Sequence, residues 1–410
     1  MRKLLSLLAF ASLTAAFAAP AAAGDVSLDN VTVKEKDITV QFRHISVVGT
    51  NLTSDEVSRL FSDTADKDAR DALLAKMKAA SISIPETKVT LKNGSLVFHD
   101  WEAKNVDSGV VGDISLAGFD GSFDGPRHMP ITIKSNAVSA TNANLIGAFA
   151  PAKAPSAAQG SPRAAHFLWS GFQASVPDKT TPQYAVGGNL WKVSLGSVEG
   201  SGSYQGLVPL KSSAAMKDLV IQPPPASKAA KMFGAFGYKK LDLGMTMAGT
   251  YDPAKHAYTL ADYTVNGVDA GAIGFKALFS SVESAVFSAP APARMAAIDE
   301  GVVNSVEMRI VNGGLFQKTL AWYAAQRGQT VDELRRQWAA AATLLIPVML
   351  KGDPDGPRIA EAVTNFVNSP KALTVSIKAK GEGVKVGDLK ALFSAKTLLS
   401  HLDVQATAGP

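Results

Sequence analysis

The sequence predicts an α+β protein that is rich in β-structure, with long antiparallel sheets, short capping helices and a helical segment in the last third of the chain. Three observations support this class. Apolar and polar residues alternate over many short segments, which is typical of strands with one buried face. Glycine-containing turns separate these segments. Between Leu315 and Phe366, apolar residues recur every three or four positions, as in amphipathic helices. We expect the sheets to be curved and twisted.

The first 23 residues have the three parts of a secretory signal peptide. Arg2 and Lys3 precede an uncharged run from Leu4 to Pro20, and three alanines ending at Ala23 follow that run. The run's most apolar part is shorter than the roughly 20 residues that cross a bilayer. We therefore expect cleavage near Ala23 and export to the periplasm, with an uncleaved anchor as the alternative.

The composition restricts the compartment and the partners. The chain has 410 residues, no cysteine and a formal net charge of +5. Without cysteine, neither a disulfide framework nor a lipidated cysteine anchor can form. The longest later apolar stretch, Trp338 to Leu350, is too short to span a membrane, so we expect no transmembrane segment in the mature chain. Basic residues form no cluster, which argues against a nucleic-acid partner.

The first predicted region, residues 24–149, is β-rich and contains one amphipathic helix. Thr53 and Glu56 have the spacing of a helix capping box, and apolar residues follow at helical spacing as far as Met77. Asn93-Gly94 then predicts a tight hairpin between two alternating runs. Residues 150–165 are rich in Pro, Ala and Ser and are predicted to be a linker.

The second predicted region, residues 166–288, is also β-rich. Its clearest strand carries Leu241, Leu243, Met245 and Met247 at every second position. Prolines then favour a second linker at residues 289–296.

Residues 297–410 are predicted to form a helical segment with terminal strands. Helices are expected over residues 315–326, from Thr330 toward Leu350, and after Asp355. A strand over residues 373–379, a short helix at about 386–399 and an extended tail complete the chain.

One pentapeptide occurs twice in the sequence. Lys276-Ala277-Leu278-Phe279-Ser280 recurs as Lys390-Ala391-Leu392-Phe393-Ser394. Each copy follows a predicted strand and a glycine-containing turn, so a repeated unit of strand, turn and short helix is one interpretation. Coincidence in an alanine-rich chain is the other.

No combination of residues predicts a catalytic, cofactor or metal site. No serine lies in a Gly-x-Ser-x-Gly elbow, and the six histidines are never closer than 29 residues, so no helical zinc pair is present. His99-Asp100 has the residue types of a polarised general base. Because neighbouring residues of a strand point to opposite faces, a strand end with a turn-forming aspartate is favoured. Asp353-Pro354-Asp355-Gly356 is likewise interpreted as a helix-capping turn instead of a calcium loop.

The helical segment carries an aromatic and aliphatic stripe. Two roles are open to it: core packing against a sheet, which is favoured, and a lid that shields a lipid tail. Its members are Leu320, Trp322, Tyr323, Leu334, Trp338, Leu344, Leu345 and Ile346.

The signal peptide, the glycine-punctuated strands and the late helical segment leading into Phe366-Val367-Asn368-Ser369-Pro370-Lys371-Ala372-Leu373 form a combination that resembles uncharacterised periplasmic proteins of alphaproteobacteria. More distantly, this combination is similar to AsmA-like envelope proteins. The resemblance implies curved β-structure associated with lipid handling, although AsmA-like members carry a membrane anchor.

These observations together predict a non-enzymatic periplasmic envelope protein. We expect it to bind a lipid or other amphiphile, or an envelope partner, through a β-rich groove, without a cofactor. A purely structural or protein-interaction role is the alternative, and a hydrolase with an unrecognised site is the third.

Overall fold

The computed structural model describes residues 24–35, 37–62, 67–144, 164–180, 188–206, 208–289, 291–350, 354–389, 391 and 398–409. The predicted signal peptide and residues 150–163 of the first predicted linker lie outside these ranges. The chain divides into two compact units, Met1–Gly202 and Ser203–Pro410, and the boundary falls inside strand β9.

The predicted α+β class is confirmed, since antiparallel strands dominate and the described residues contain eight short helices. From Gly24 to Gln205 the elements are β1 (Gly24–Glu35), β2 (Ile38–Thr50), α1 (Ser54–Leu60), α2 (Lys67–Leu74), β3 (Lys78–Leu91), β4 (Gly94–Asp107), β5 (Val110–Asp124), β6 (Pro130–Ser135), β7 (Ala137–Asn144), β8 (His166–Pro177) and β9 (Leu190–Gln205).

The strands of the first unit pair largely in chain order. Each strand from β1 to β5 pairs with the next one. Strand β5 then pairs with both β6 and β7, both of which pair with β8, and β8 pairs with β9. The hairpin between β3 and β4 is confirmed, because Leu91 lies opposite Gly94. Short turns of this kind keep consecutive strands adjacent.

The core of the first unit lies between one face of this sheet and helices α1 and α2. Ile45 from β2 and Val57 from α1 are fully buried. Leu96 from β4 and Leu73 from α2 are almost completely buried in the same cluster. Each such side chain contributes about 1.5–3 kcal/mol by leaving water, so this core accounts for much of the unit's stability.

The sequence predicts one helix within residues 24–149, and this number is wrong. The structure has two helices there, α1 and α2, and residues 63–66 between them lie outside the described residues. The capping box at the start of α1 is confirmed, because Thr53 Oγ1 accepts from the Glu56 amide and Glu56 Oε2 accepts from the Thr53 amide.

Two lines of irregular backbone cross the strands of the first unit, and we call them creases. At the first crease, defined by Asn30, Asp100, Gly118, Asn136 and Gly171, the set of inward-facing residues changes parity. In β4 this change leads from Leu96 and Phe98 to Ala103, and in β2 from Phe42 to Ile45.

The second crease runs through Gly49, Asn105, Gly112 and Asn142. Gly49, Asn105 and Asn142 have φ values of 63°, 55° and 49°. A Cβ on Gly112 would lie 2.9 Å from Asn105 Cβ, so these two residues are cross-strand neighbours. Adjacent strands therefore switch their inward-facing residues between even-numbered and odd-numbered positions at neighbouring sites. This shared switch keeps the apolar side chains on one face while each strand bends.

From Val208 to Gly409 the elements are β10 (Val208–Gln222), α3 (Lys228–Ala235), β11 (Leu241–Asp252), β12 (Ala257–Gly267), β13 (Gly271–Ser280), α4 (Ala285–Ser288), α5 (Ala291–Glu300), β14 (Val302–Asn312), α6 (Leu315–Arg327), α7 (Val331–Met349), α8 (Gly356–Asn368), β15 (Ala372–Ala379), β16 (Val384–Lys385) and β17 (Leu402–Gly409). Strands β10 to β15 pair consecutively, β17 pairs with β15, and β16 pairs with the start of β14.

The helices predicted for the last third are confirmed. Gly328 ends α6 in the left-handed conformation, and Thr330 with Glu333 forms the capping box of α7. Helix α8 starts after Asp355 with proline in its first turn. The Asp355 side chain pairs with Arg358 and caps no backbone amide.

Two other expectations for this part of the chain are wrong. Within the linker expected at residues 289–296, residues 291–296 form the first part of helix α5, which starts at Ala291 with a proline in its first turn. Residues 276–280, the first copy of the pentapeptide, form the end of strand β13 because Ala277 pairs with both Leu260 and Val306. Most of the second copy and of the helix expected at 386–399 lies outside the described residues.

Candidate functional site

The sheet of the second unit has one face that is apolar across seven strands, and we call it the apolar face. The strand registers place its side chains in cross-strand rows. One row is Met216, Met245, Val265, Ile273, Ile310, Leu373 and Ala408, and the next is Ala214, Met247, Tyr263, Phe275, Met308, Val375 and Ala406. Neither row contains a charged residue.

The opposite face of the same sheet is polar. Thr246, Thr264 and Thr374 alternate with apolar-face residues on β11, β12 and β15. On the neighbouring level Lys276 forms an ion pair with Glu307, whose carboxylate lies 3.3 Å from the Lys276 ammonium. This alternation is the pattern of an antiparallel sheet with one solvated face, so the apolar face needs a cover.

Helices cover the apolar face only in part. Phe366 of α8 is buried against Leu373, with Ile310 and Val375 packed around it. At another corner, Phe287 of α4 packs on Tyr251 with the ring centroids 4.9 Å apart.

The aromatic corner near α4 contains a buried tyrosine, Tyr251, and a partly buried one, Tyr258. The hydroxyl of Tyr251 donates a hydrogen bond of 2.8 Å to the Val282 carbonyl. Burial, with a smaller contribution from the charge of Glu283, raises the pKa of Tyr251, and burial alone raises the pKa of Tyr258. Both phenols therefore stay neutral at neutral pH.

The middle of the apolar face stays partly exposed to solvent. Met245, Met247, Tyr263 and Phe275 are all only partly buried, although they lie in the middle of the two rows. Adjacent strands are about 4.8 Å apart, so the part of a row that crosses β10 to β13, outside the residues packed against α8, is about 14 Å long. Methionine is unbranched and flexible, and it adapts to ligands of different shape.

Part of this face was predictable. The alternation of Met245 and Met247 on β11 is confirmed. Sequence reasoning missed Ile273 and Phe275, because the residues that follow them favour a short helix in the repeated-unit interpretation. The sequence does contain the alternation that is typical of a strand here, since apolar residues occupy every second position of β13 from Ile273 to Phe279.

The helical stripe divides into two parts. Leu320 and Leu334 are fully buried between α6 and α7, with Trp338 packed against them, so core packing is confirmed for this part, although the two helices pack on each other there and not on a sheet. Near the end of α7, Leu344 and Leu345 are 70% and 57% exposed. Core packing is therefore wrong for these two leucines.

His99 lies on β4 beside the first crease, in the first unit. Its Nε2 donates to Asp120 Oδ1 of β5 at 2.7 Å, and not to the adjacent Asp100. Asp100 lies within the strand at φ 50°, on the crease, and not at the expected strand end. The structure therefore pairs His99 with a carboxylate 21 residues away in sequence. Among the residues that the structure describes, no three His, Asp or Glu side chains converge as metal ligands.

Comparison with known protein families gives a match over part of the second unit. Residues 264–409 match the model of a family described as "Uncharacterized protein". The match starts within β12 and includes β13 to β17, and therefore most of the apolar face. None of the curated proteins matches the chain. In the part of the chain that the structure describes, no helix is both long enough and apolar enough to cross a membrane.

Proposed function

We propose that this protein is a non-enzymatic, periplasmic envelope protein that binds the acyl chain of an amphiphile on the apolar face of its second unit. The observation that carries the proposal is the pair of unbroken apolar rows whose middle is only partly covered by helices. Export rests on the signal-peptide pattern of the first 23 residues.

An acyl chain is the occupant that best matches the chemistry of this face. Soluble proteins seldom expose contiguous apolar patches of more than a few hundred Å², so a half-exposed sheet face favours a bound apolar partner. The two rows offer methyl, thioether and aromatic groups and no buried ion pair. Each methylene that leaves water contributes about 0.8 kcal/mol, so a long acyl chain supplies enough energy for stable binding.

The first test is isolation of the full protein from the periplasm under native conditions, followed by mass spectrometry of co-purifying lipids. We expect acyl-bearing lipids at near-stoichiometric amounts. The delipidated protein should then bind the fluorescent fatty acid cis-parinaric acid. Absence of both would contradict the proposal and turn the interpretation to the structural or protein-interaction alternative.

A pair of variants locates the site. Met245→Gln combined with Met247→Gln keeps side-chain volume but places two amides on the apolar face, and we expect at least a tenfold loss of parinaric acid affinity, about 1.4 kcal/mol. Lys276→Gln changes the polar face of the same sheet and should leave the affinity unchanged. An equal loss in both variants would show that the apolar face is not the binding site.

A further inference from the structure

A groove of about 470 Å³ lies on the polar face of the first unit's sheet, away from the apolar core. Strands β4, β5, β6 and β8 line it, and it borders the first crease. Side chains of this unit's core, such as Leu96 and Phe98, point to the opposite face. Ligand sites have volumes of about 300–1,000 Å³, so the groove is large enough for a small ligand.

Strand register arranges the polar side chains of the groove in two rows. The hydroxyl row contains Ser95, Ser122, Thr132 and Ser175, each opposite the next across the four strands. Neighbouring hydroxyl-bearing residues are therefore about 4.8 Å apart, which is close to the separation of alternate hydroxyls around a sugar ring.

The second row has opposite charges side by side. It contains Val97, Asp120, Lys134 and Gln173, again as direct cross-strand partners. Asp120 Oδ1 accepts from His99 Nε2, which fixes the carboxylate. Within the described ranges, Asp120 Oδ2 accepts no hydrogen bond from protein and Lys134 forms no ion pair.

This arrangement distinguishes between classes of ligand. An anion is attracted by Lys134 but repelled by Asp120, and a cation meets the reverse. A neutral vicinal diol satisfies both groups, because one hydroxyl donates to the carboxylate while its neighbour accepts from the ammonium. Among the described residues that line the groove, Val97 is the one large apolar side chain on this face, since Ile133 packs against the core, so the groove offers little to an acyl chain.

We infer that this groove is a binding site for a neutral saccharide, with Asp120, Lys134 and Gln173 as the specificity-determining contacts. The site is separate from the apolar face and does not depend on the function proposed above. Because none of the described residues that line the groove is aromatic, we expect hydrogen bonds instead of stacking to determine the affinity.

The experiment is a titration of the full protein with two neutral disaccharides, maltose and N,N′-diacetylchitobiose, followed by saturation-transfer NMR and amide chemical shifts. Inorganic phosphate is titrated in parallel. We expect at least one disaccharide to bind, with shift changes at Ser122, Thr132 and Gln173, and we expect phosphate not to bind there. Binding of phosphate alone, or of none of the three ligands, would overturn the inference.

Matched variants test the contacts. Asp120→Asn and Gln173→Ala should each weaken disaccharide binding by about tenfold, the factor expected from losing one hydrogen bond of this kind. Lys88→Gln is the control, because Lys88 lies opposite Val97 on the same face but outside the groove. It should bind the disaccharide as the wild type does. An equal loss in the Lys88 variant, or none in the Asp120 and Gln173 variants, would contradict the assignment.

Discussion

At the scale of single residues, the first crease depends strongly on Gly171, because this position has no room for a side chain. Its φ is 64°, and a Cβ there would lie 2.2 Å from Asn136 Nδ2 and 2.8 Å from Asn136 Cβ. The backbone N–H of Asn136 donates to the Ser170 carbonyl, so the backbone of Asn136 has little freedom to move away. The crease therefore requires glycine for both its conformation and its contacts.

We expect Gly171→Ala to destabilise the protein by about 1–3 kcal/mol in chemical denaturation, because a strained φ and a steric clash add together. Gly188→Ala is the control, since Gly188 also has a positive φ of 83° but a Cβ there would have no neighbouring atom within 4 Å. Gly188→Ala should lower the free energy of unfolding by less than Gly171→Ala does. If both variants lose the same free energy, the contact with Asn136 contributes nothing.

At the scale of elements, the two capping boxes offer a comparison between a buried and an exposed carboxylate. Glu56 of α1 is 3% exposed and accepts a 2.7 Å hydrogen bond from Lys76 Nζ, whereas Glu333 of α7 is exposed. Burial by itself raises the pKa of Glu56, but the hydrogen bonds from Lys76 and Thr53 outweigh it, so the pKa is lowered. Glu56 is therefore charged in the folded state, and its partners stabilise that charge.

We expect Glu56→Gln to cost about 1–3 kcal/mol at pH 7, because the amide removes the negative charge beside Lys76 and has one acceptor oxygen where the carboxylate has two, one for Lys76 and one for Thr53. Glu333→Gln should cost less, because Glu333 is exposed. Because the pKa of Glu56 is lower in the folded than in the unfolded protein, its charge stabilises the fold fully at pH values above the unfolded-state pKa. This stabilisation is lost as the pH falls through the folded-state pKa. The difference between wild type and Glu56→Gln should therefore shrink below about pH 4.3. Urea denaturation at several pH values measures it, and a constant difference down to about pH 2 would contradict the assignment.

The elements also show how far sequence reasoning reaches. Helix ends such as Gly328 and Thr330 were predictable because capping is local. Alternation located most strands but not the creases, because a parity change at Asp100 or Asn105 depends on the neighbouring strands. The end of β13 was misassigned for a related reason: its pairing with β12 and β14 outweighs the local helix preference of alanine and leucine at 277 and 278. The groove of the first unit was not predicted, since its residues come from four strands.

At the scale of the whole molecule, the nine methionines that follow the predicted signal peptide provide an internal probe of which surfaces a ligand covers. Met216, Met245 and Met247 lie on the apolar face and are partly buried. Met232 and Met295 lie on helices α3 and α5 and are each 57% exposed. Methionine oxidation by peroxide depends on access of the oxidant to sulfur, so the two groups should respond differently to an acyl ligand.

We expect saturating palmitate to slow oxidation of Met216, Met245 and Met247 at least threefold in the delipidated protein, because a bound acyl chain excludes water and peroxide from the thioethers. Oxidation of Met232 and Met295 should not change, and Met77, which is fully buried, should react slowly with or without ligand. Peptide mass spectrometry after timed exposure to peroxide reads all of these sites in one sample. Equal protection of every methionine would indicate general stabilisation of the protein. Protection confined to Met232 or Met295 would place the acyl chain on another surface. Either result would contradict binding on the apolar face.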